Sequence, residues 1–288
     1  MLTLQAPAKL NLTLEVLAKR QDGFHEIRSV IQTINLCDSL RFELSRSIKF
    51  NAKESSWNPE KSLVPKAASL LQKVTGCGKG ATIEVNKRIP LLSGLGGDSS
   101  DAAAVLRGLN KLWELGLPQE KLLELASQFG SDIAFFLYGG TALVEGRGEK
   151  VIPLPPLYPM WVVLLLPPVL RTPDKTGRLY ASLKASHYTG GQMTDRLVAQ
   201  LGRGGEVLPD MLFNVFDGVA RDSFTGLNDY WEQFSKAGAE SVHLAGSGPT
   251  LFTLVKDKAQ AGEIYQRLRQ QGLESYLVEA LAIVEKVE

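Results

Sequence analysis

From Leu2 to Val16 every even-numbered residue is apolar: Leu, Leu, Ala, Ala, Leu, Leu, Leu, Val. Apart from Pro7, every odd-numbered one is polar: Thr3, Gln5, Lys9, Asn11, Thr13, Glu15. A period of two held this long excludes a helix and fits a half-buried strand with one polar face. Lys9 and Asn11 then project from the same side, one pleat repeat apart. Pro7 has no N–H for a ladder, which predicts an edge position or a bulge just before them.

Leu40–Leu44 alternates in the same way, and Leu63, Ala67, Leu70, Leu71 and Val74 share one helical face, predicting a helix over 62–74. A strand at Thr82–Val85 runs through Arg88-Ile89-Pro90 into a Gly/Ser-rich loop. The helix after that loop has Ala102, Val105, Leu106, Leu109, Leu112 and Trp113 on one stripe. Pro118 suits the first position of a further helix that buries Leu122, Leu125, Ala126 and Phe129. The prolines at 153, 155, 156 and 159 mark a domain boundary. Beyond them, strands near 160–166, 240–245, 250–255 and 276–284 alternate with helical patterns. The expected fold class is α+β in two domains, 1–154 and 155–288, with the last strand able to return and pack on the first.

Several function classes are excluded by bulk properties. A formal net charge of +1 over 288 residues leaves no basic footprint for nucleic acid. The most apolar run, Met160 to Leu166, is stopped by Pro167 and Pro168, far short of the roughly 20 residues that span a bilayer. Two cysteines, Cys37 and Cys77, make neither a disulfide framework nor a metal quartet. No charged n-region precedes an apolar stretch at the N-terminus. The expectation is a cytoplasmic protein, monomer or homodimer, with no membrane or nucleic-acid partner.

The segment with most chemical content is Pro90-Leu91-Leu92-Ser93-Gly94-Leu95-Gly96-Gly97-Asp98-Ser99-Ser100, between a strand and a helix. Glycines let backbone approach closely, and successive N–H groups with a helix N-terminus make an anion cradle. Ser99 and Ser100 add hydroxyls, either of which is a candidate to touch Mg²⁺. The plainer alternative is a Gly/Ser turn in which a serine caps the helix. No G-x-x-x-x-G-K-S/T is present, since Gly76-Cys-Gly-Lys-Gly80 only approximates it. Gly94-x-Gly96-x-x-Ser99 misses the dinucleotide fingerprint, and no H-R-D or D-F-G segment marks a protein kinase.

Pro90 to Ala103 resembles the phosphate loop of the galactokinase–homoserine kinase–mevalonate kinase–phosphomevalonate kinase (GHMP) superfamily. Ala6-Pro-Ala-Lys-Leu-Asn11 and Ala245-Gly-Ser-Gly-Pro-Thr250 match two further motifs of that superfamily in order. Asp22-Gly-Phe-His-Glu26, Gly130-Ser-Asp-Ile-Ala-Phe-Phe136, Gly146-Arg-Gly-Glu149 and Thr176-x-x-x-Tyr180 narrow the resemblance. They are similar to the branch whose acceptor is a cytidine-diphosphate-linked methylerythritol, a substrate of non-mevalonate isoprenoid biosynthesis. The resemblance implies an N-terminal ribosomal-S5-like ATP-binding domain, a C-terminal ferredoxin-like α/β sandwich and a cleft between them. It also implies ATP as cosubstrate, with Mg²⁺ brought by the nucleotide and no metal site of the protein's own.

Residue by residue, the resemblance makes Asp132 the base that takes the hydroxyl proton and Lys9 its charge-compensating partner. Residues 90–100 would hold ATP. Asn11, Phe24, His25, Thr176, Tyr180, Gly246 and Ser247 would hold the acceptor, with Phe24 and Tyr180 sandwiching the cytosine and His25 reading its edge. Each has a structural alternative: Asp132 as an N-cap of the next helix, Lys9 and Asn11 as solvated strand residues, the rings as core. Three positions depart from the family pattern: Asp98 for a usual glycine, Ala134 for a usual proline, and Ser62 for a usual asparagine. Asp98 is expected to face solvent. The competing functions are a homoserine- or mevalonate-type kinase and a non-catalytic nucleotide- or RNA-binding protein of the same fold.

Overall fold

The computed structural model describes residues 1–52, 57–157 and 159–282. Up to Pro153 the chain runs β1 (Leu2–Asn11), β2 (Thr13–Lys19), β3 (His25–Ser45), β4 (Lys49–Ala52), α1 (Leu63–Thr75), β5 (Gly80–Asn86), α2 (Gly97–Leu112), α3 (Gln119–Ala126), α4 (Ile133–Tyr138), β6 (Thr141–Gly146) and β7 (Lys150–Pro153). The 21-residue β3 is the spine. Along one flank it pairs antiparallel with β2 and then β1, and along the other with β6 and then β5. Helix α1 starts where Ser62 accepts from Val64 N (3.1 Å) and stops at Gly76, whose φ of 66° is left-handed. Pro118 is not the first residue of α3. Its ψ of 161° keeps it extended, so it stands one position earlier, as the N-cap.

The alternation in β1 has an outcome that its period does not reveal. Pro7 pairs with Cys37 but Ala8 pairs with Ile34, so the ladder slips between them. A slip of this kind turns the following side chains to the other face. Leu2, Leu4 and Ala6 pack with Phe42, Leu106 and Val64 under the helices, whereas Ala8, Leu10 and Leu12 pack with Val162, Leu164, Leu197 and Phe252 of the second domain. The polar set is buried too: Lys9, Asn11, Thr13 and Glu15 are each 5% exposed or less. Glu15 accepts from Thr194 N at 2.7 Å and Thr13 Oγ1 meets Thr194 Oγ1 at 2.9 Å. The Thr13–Glu15 end of the polar face therefore meets protein, with hydrogen bonds satisfied, rather than water, while Lys9 and Asn11 border a cleft.

From Trp161 the order is β8 (Trp161–Leu165), α5 (Lys175–Ser182), α6 (Gln192–Gly202), β9 (Phe213–Asn214), α7 (Phe216–Ser223), α8 (Leu227–Lys236), β10 (His243–Leu244), β11 (Leu251–Val255), α9 (Lys258–Gln270) and β12 (Ser275–Glu279). The sheet order β10-β11-β8-β12, all antiparallel, is a ferredoxin-like arrangement. The strand expected over 240–245 shrinks to His243–Leu244 because residues 245–248 turn back, Gly248 N donating to Ala245 O at 2.8 Å. The strand expected over 276–284 ends at Glu279, and positions 283 and 284 lie outside the described residues.

Besides the bonds to Thr194, backbone pairing locks the halves together. β9 runs parallel to β2, Ile34 bridges Ala280, and Leu281 N donates to Thr33 O at 2.9 Å. The core between the sheets includes Leu10, Leu12, Ile34, Val162, Leu164 and Phe252, all 2% exposed or less. Each such side chain contributes about 1.5–3 kcal/mol by leaving water.

Candidate active site

The cleft encloses about 1360 Å³. A pocket for one small ligand is roughly 300–1,000 Å³, so this one has room for two. Trp57, Asn58 and Lys61 line one end, Phe24, His25, Tyr180 and Tyr188 the other, with Lys9, Asn11, Asp132, Gly246 and Ser247 also on its wall.

Lys9 is held rigidly. Its N–H donates to Leu95 O at 2.9 Å, and its ammonium donates to Asn11 Oδ1 at 2.7 Å. Asn11 Nδ2 donates in turn to Ser29 Oγ at 2.8 Å. Lys9 Nζ lies 3.3 Å from Asp132 Oδ2, with side-chain exposures of 7% and 34%. The lysine is thus locked while the carboxylate opens to the cleft. Asp132 occupies the N-cap position of α4, but its φ and ψ are helical and its side chain caps nothing. The capping alternative therefore does not describe it.

The loop from Pro90 enters beneath a buried ion cluster. Lys87 Nζ donates to Asp101 Oδ2 at 2.6 Å and also to Asp38, while Asp38 accepts from Ile89 N at 2.8 Å. Burial pulls the Lys87 ammonium down, but Asp101 and Asp38 outweigh it and leave its pKa raised. Burial, reinforced by Asp38, pushes the Asp101 carboxyl well above the usual carboxylate range. These residues were not legible as a site in the sequence, because their pairing spans β3, the loop and α2.

Gly94, at φ +89°, lies against the 245–248 turn, where a Cβ would stand 2.1 Å from Ala245 O. Gly96, at φ +74°, is the N-cap of α2 and offers no side chain, so the first-turn N–H groups are left for an external acceptor. Pro90 to Gly94, Gly96 to Ser99 and the Gly246–Ser247 pair all border the cleft. Leu95 and Ser100 do not: they are 0% and 1% exposed and turn into the protein. Of the two hydroxyls weighed for Mg²⁺, only that of Ser99 lines the cleft. Among the described residues no group of His, Cys, Asp and Glu side chains is placed to hold a metal ion.

Asp98 does not face solvent. Its carboxylate accepts from Leu63 N at 3.0 Å and from the Ser62 hydroxyl. The charge is turned away from the cradle and toward the N-terminus of α1, where the helix dipole favours it. The departures at 62 and 98 are thus each other's partners. Asp98→Ala is expected to lower stability by about 1 kcal/mol, the usual worth of a cap. Thermal unfolding checks this, and an unchanged midpoint would show that the strap contributes nothing.

At the other end the rings differ from the expected sandwich. His25 itself stacks on Tyr180, with centroids 4.9 Å apart and planes at 26°, and Tyr188 meets His25 edge-on at 6.1 Å. Phe24 is 53% exposed and carries Arg147 over its ring at 4.9 Å. Phe24 and Tyr180 therefore do not face each other, because the imidazole stands on the Tyr180 face. Burial, with the charge of Lys19, lowers the His25 pKa, which favours the neutral ring. Burial and the charge of Asp132 push the Tyr180 hydroxyl up.

Thr176 Oγ1 and Ser247 Oγ are 2.7 Å apart. Asn214 Nδ2 donates to Leu244 O and Gly246 O, both at 2.8 Å, and fixes the turn. Tyr188, Asn214 and Lys175 were missed from the sequence. Only Lys175 had a signal, its place beside Thr176.

The three ordered segments 6–11, 90–103 and 245–250 therefore converge. A Cβ at Gly246 would lie 3.0 Å from Gly94 O and 3.1 Å from Lys9 Nζ. Residues 62–140 match the family described as GHMP kinases N terminal domain, and residues 197–273 the GHMP kinases C terminal family. A 4-diphosphocytidyl-2-C-methyl-D-erythritol kinase of Dehalococcoides mccartyi is 50% identical over 281 residues, 98% of this chain and 99% of that one. One from a Geobacillus species is 38% identical over 93% of each chain. A crystal structure of 4-(cytidine 5'-diphospho)-2C-methyl-D-erythritol kinase superposes with a TM-score of 0.82 at 31% identity, over 97% of this chain and 99% of that one. A homoserine kinase from Cytophaga hutchinsonii, at TM-score 0.77 and 22% identity over 98% and 95%, shares the fold.

Proposed function

The chain belongs to the GHMP kinase family, within its 4-diphosphocytidyl-2-C-methyl-D-erythritol kinases, and on that premise we propose how its cleft performs ATP-dependent phosphorylation of that acceptor. The 2-hydroxyl of 4-diphosphocytidyl-2-C-methyl-D-erythritol attacks the γ-phosphorus of ATP, giving the 2-phosphate and ADP, a step toward isoprenoid precursors. The observation that carries the reading is the Lys9–Asp132 pair, set where the phosphate loop and the 245–250 turn meet.

Phosphoryl transfer asks for in-line placement, charge compensation and a destination for the hydroxyl proton. Asp132, exposed to the cleft and free of capping, accepts that proton. Lys9 orients the hydroxyl and offsets charge on the transferring group. The N-terminus of α2 and the backbone of residues 90–97 cradle the ATP phosphates, and Trp57, Asn58 and Lys61 flank the nucleotide end. Mg²⁺ carried by phosphates needs few protein oxygens and would offset the phosphate charge, and the Ser99 hydroxyl is the one that would be placed to join it. Tyr180, His25 and the exposed ring of Phe24 take the cytosine, while Asn11, Thr176, Gly246 and Ser247 hold the remainder of the acceptor.

The same reading divides the chain at 154/155 into an ATP-binding and an acceptor-side domain. It puts the protein in the cytoplasm as a monomer or homodimer, with neither nucleic acid nor membrane as partner. Among the described residues no helix is long and apolar enough to cross a membrane.

An acceptor panel tests the function. ADP release should occur with 4-diphosphocytidyl-2-C-methyl-D-erythritol and not with homoserine or mevalonate, and comparable turnover of either of those overturns it. In the same assay Tyr180→Ala, which removes the ring that His25 stacks on, should raise the acceptor KM by up to roughly 5–150-fold, the scale of one base–ring stack, and leave the KM for ATP unchanged.

A further inference from the structure

Among the described residues Lys9, Lys87 and Lys175 have nearly buried side chains beside this cleft, and the third stands apart. Lys9 meets Asp132 at 3.3 Å. Lys87 has two carboxylates on its ammonium. Lys175, 7% exposed, has none within 4 Å among the described residues; its Nζ donates to Ser247 Oγ at 2.9 Å and to Ser247 O at 3.4 Å. A buried ammonium without a counter-charge is costly. Burial, with the charge of Lys9, pulls it down to about 8. Such a group is poised for an anion that arrives from outside.

We propose that Lys175, together with the Ser247 hydroxyl, forms the subsite for the diphosphate of the acceptor. The proposal rests on the acceptor identity given above. Lys175 opens α5, and Tyr180 follows five residues later on the same helix, about 7.5 Å along its axis at 1.5 Å per residue. Ser247 adjoins Gly246, whose added Cβ would lie 3.1 Å from Lys9 Nζ. Lys175 thus lies on the helix that carries Tyr180 and bonds the turn that meets Lys9, with access to the same cleft as the His25–Tyr180 and Lys9–Asp132 pairs. An acceptor with its base at the rings and its hydroxyl at Asp132 must pass its linking group across this ammonium, and that group is a diphosphate. The ATP phosphates already have their own cradle at the N-terminus of α2. Lys175 is therefore a specificity residue, favouring an alcohol that carries an anionic linker over a neutral one.

Calorimetric titration of the purified protein with cytidine, cytidine diphosphate and ADP tests this. Wild type should bind cytidine diphosphate more tightly than cytidine. Lys175→Met should weaken cytidine diphosphate by about 10–100-fold, the scale of a lost charged hydrogen bond, and hold cytidine and ADP within about threefold. Lys175→Arg should retain most of the preference. Lys175→Gln carries the same expectation should the methionine variant not fold. A Met or Gln variant that keeps the wild-type preference overturns the proposal. A loss confined to ADP also overturns it, by assigning the ammonium to the nucleotide. Wild type that binds neither cytidine nor its diphosphate would sink the acceptor reading as well.

Discussion

Asp132→Asn is expected to lower kcat by roughly 10²–10⁴-fold, the usual worth of a positioned general base. The amide keeps the shape of the side chain but cannot take the hydroxyl proton. Folding should be little affected, because the carboxylate caps no helix and is 34% exposed, while Lys9 keeps its bond to Asn11. Lys9→Ala should be comparably severe, since it removes the cation and unpairs Asn11 Oδ1. If the two residues act as a unit, the double variant loses far less than the product of the single losses. Steady-state kinetics with a thermal melt on each variant reads all of this. A kcat within about threefold of wild type for Asp132→Asn, against the expected scale, would leave Asp132 only an ion-pair partner of Lys9.

Gly94→Ala is expected to cost on the order of 10² in kcat/KM for ATP, the penalty for displacing reacting groups by about an ångström. The added Cβ would stand 2.1 Å from Ala245 O and 2.8 Å from Gly248 N. Both are backbone atoms, so either the phosphate loop or the 245–248 turn must move, and Lys9 sits between them. The left-handed φ adds strain of about 1 kcal/mol for a residue with a Cβ. Gly116→Ala is the control. Its φ is also left-handed, +63°, but a Cβ there meets nothing within 4 Å. It should lose stability alone and keep its activity. Equal activity losses in the two variants would show that strain, not the loop contact, is responsible.

Much of this site was legible along the chain, for reasons that can be named. Lys9 and Asn11 share a face because a strand repeats every two residues, and they remain hydrogen-bonded neighbours. The glycine-rich loop turns into α2 where glycines permit it, though Gly97–Ser100, expected as loop, already form the first turn of the helix, and Ala102 to Leu109 supply its apolar stripe. The ring cluster was only half legible. Phe24, His25 and Tyr180 do lie at one end of the cleft, but which ring faces which depends on β3, α5 and Tyr188 packing together. Asp98 was misjudged as solvent-facing because its partners, Ser62 and Leu63 N, are 36 and 35 residues away.

By itself the sequence determined the local terms: the periods that make strands and helices, the glycine-rich loop, and three ordered motifs that carry the family. Tertiary structure alone decided what each face meets. The slip at Pro7/Ala8 sends Leu2, Leu4 and Ala6 to one core and Ala8 and Leu10 to another, although their spacing in the chain is uniform. The second domain then covers the polar face that spacing alone would have left to water, so Glu15 and Thr13 find partners on α6. Packing within the first domain likewise gives Lys87 two carboxylates, whereas Lys175 has none within 4 Å among the described residues. The reason is physical: periodicity records only how side chains alternate along one element. Burial and counter-charge are settled by whichever element packs against it, whether 14 residues away, as Asp101 is from Lys87, or 179, as Thr194 is from Glu15.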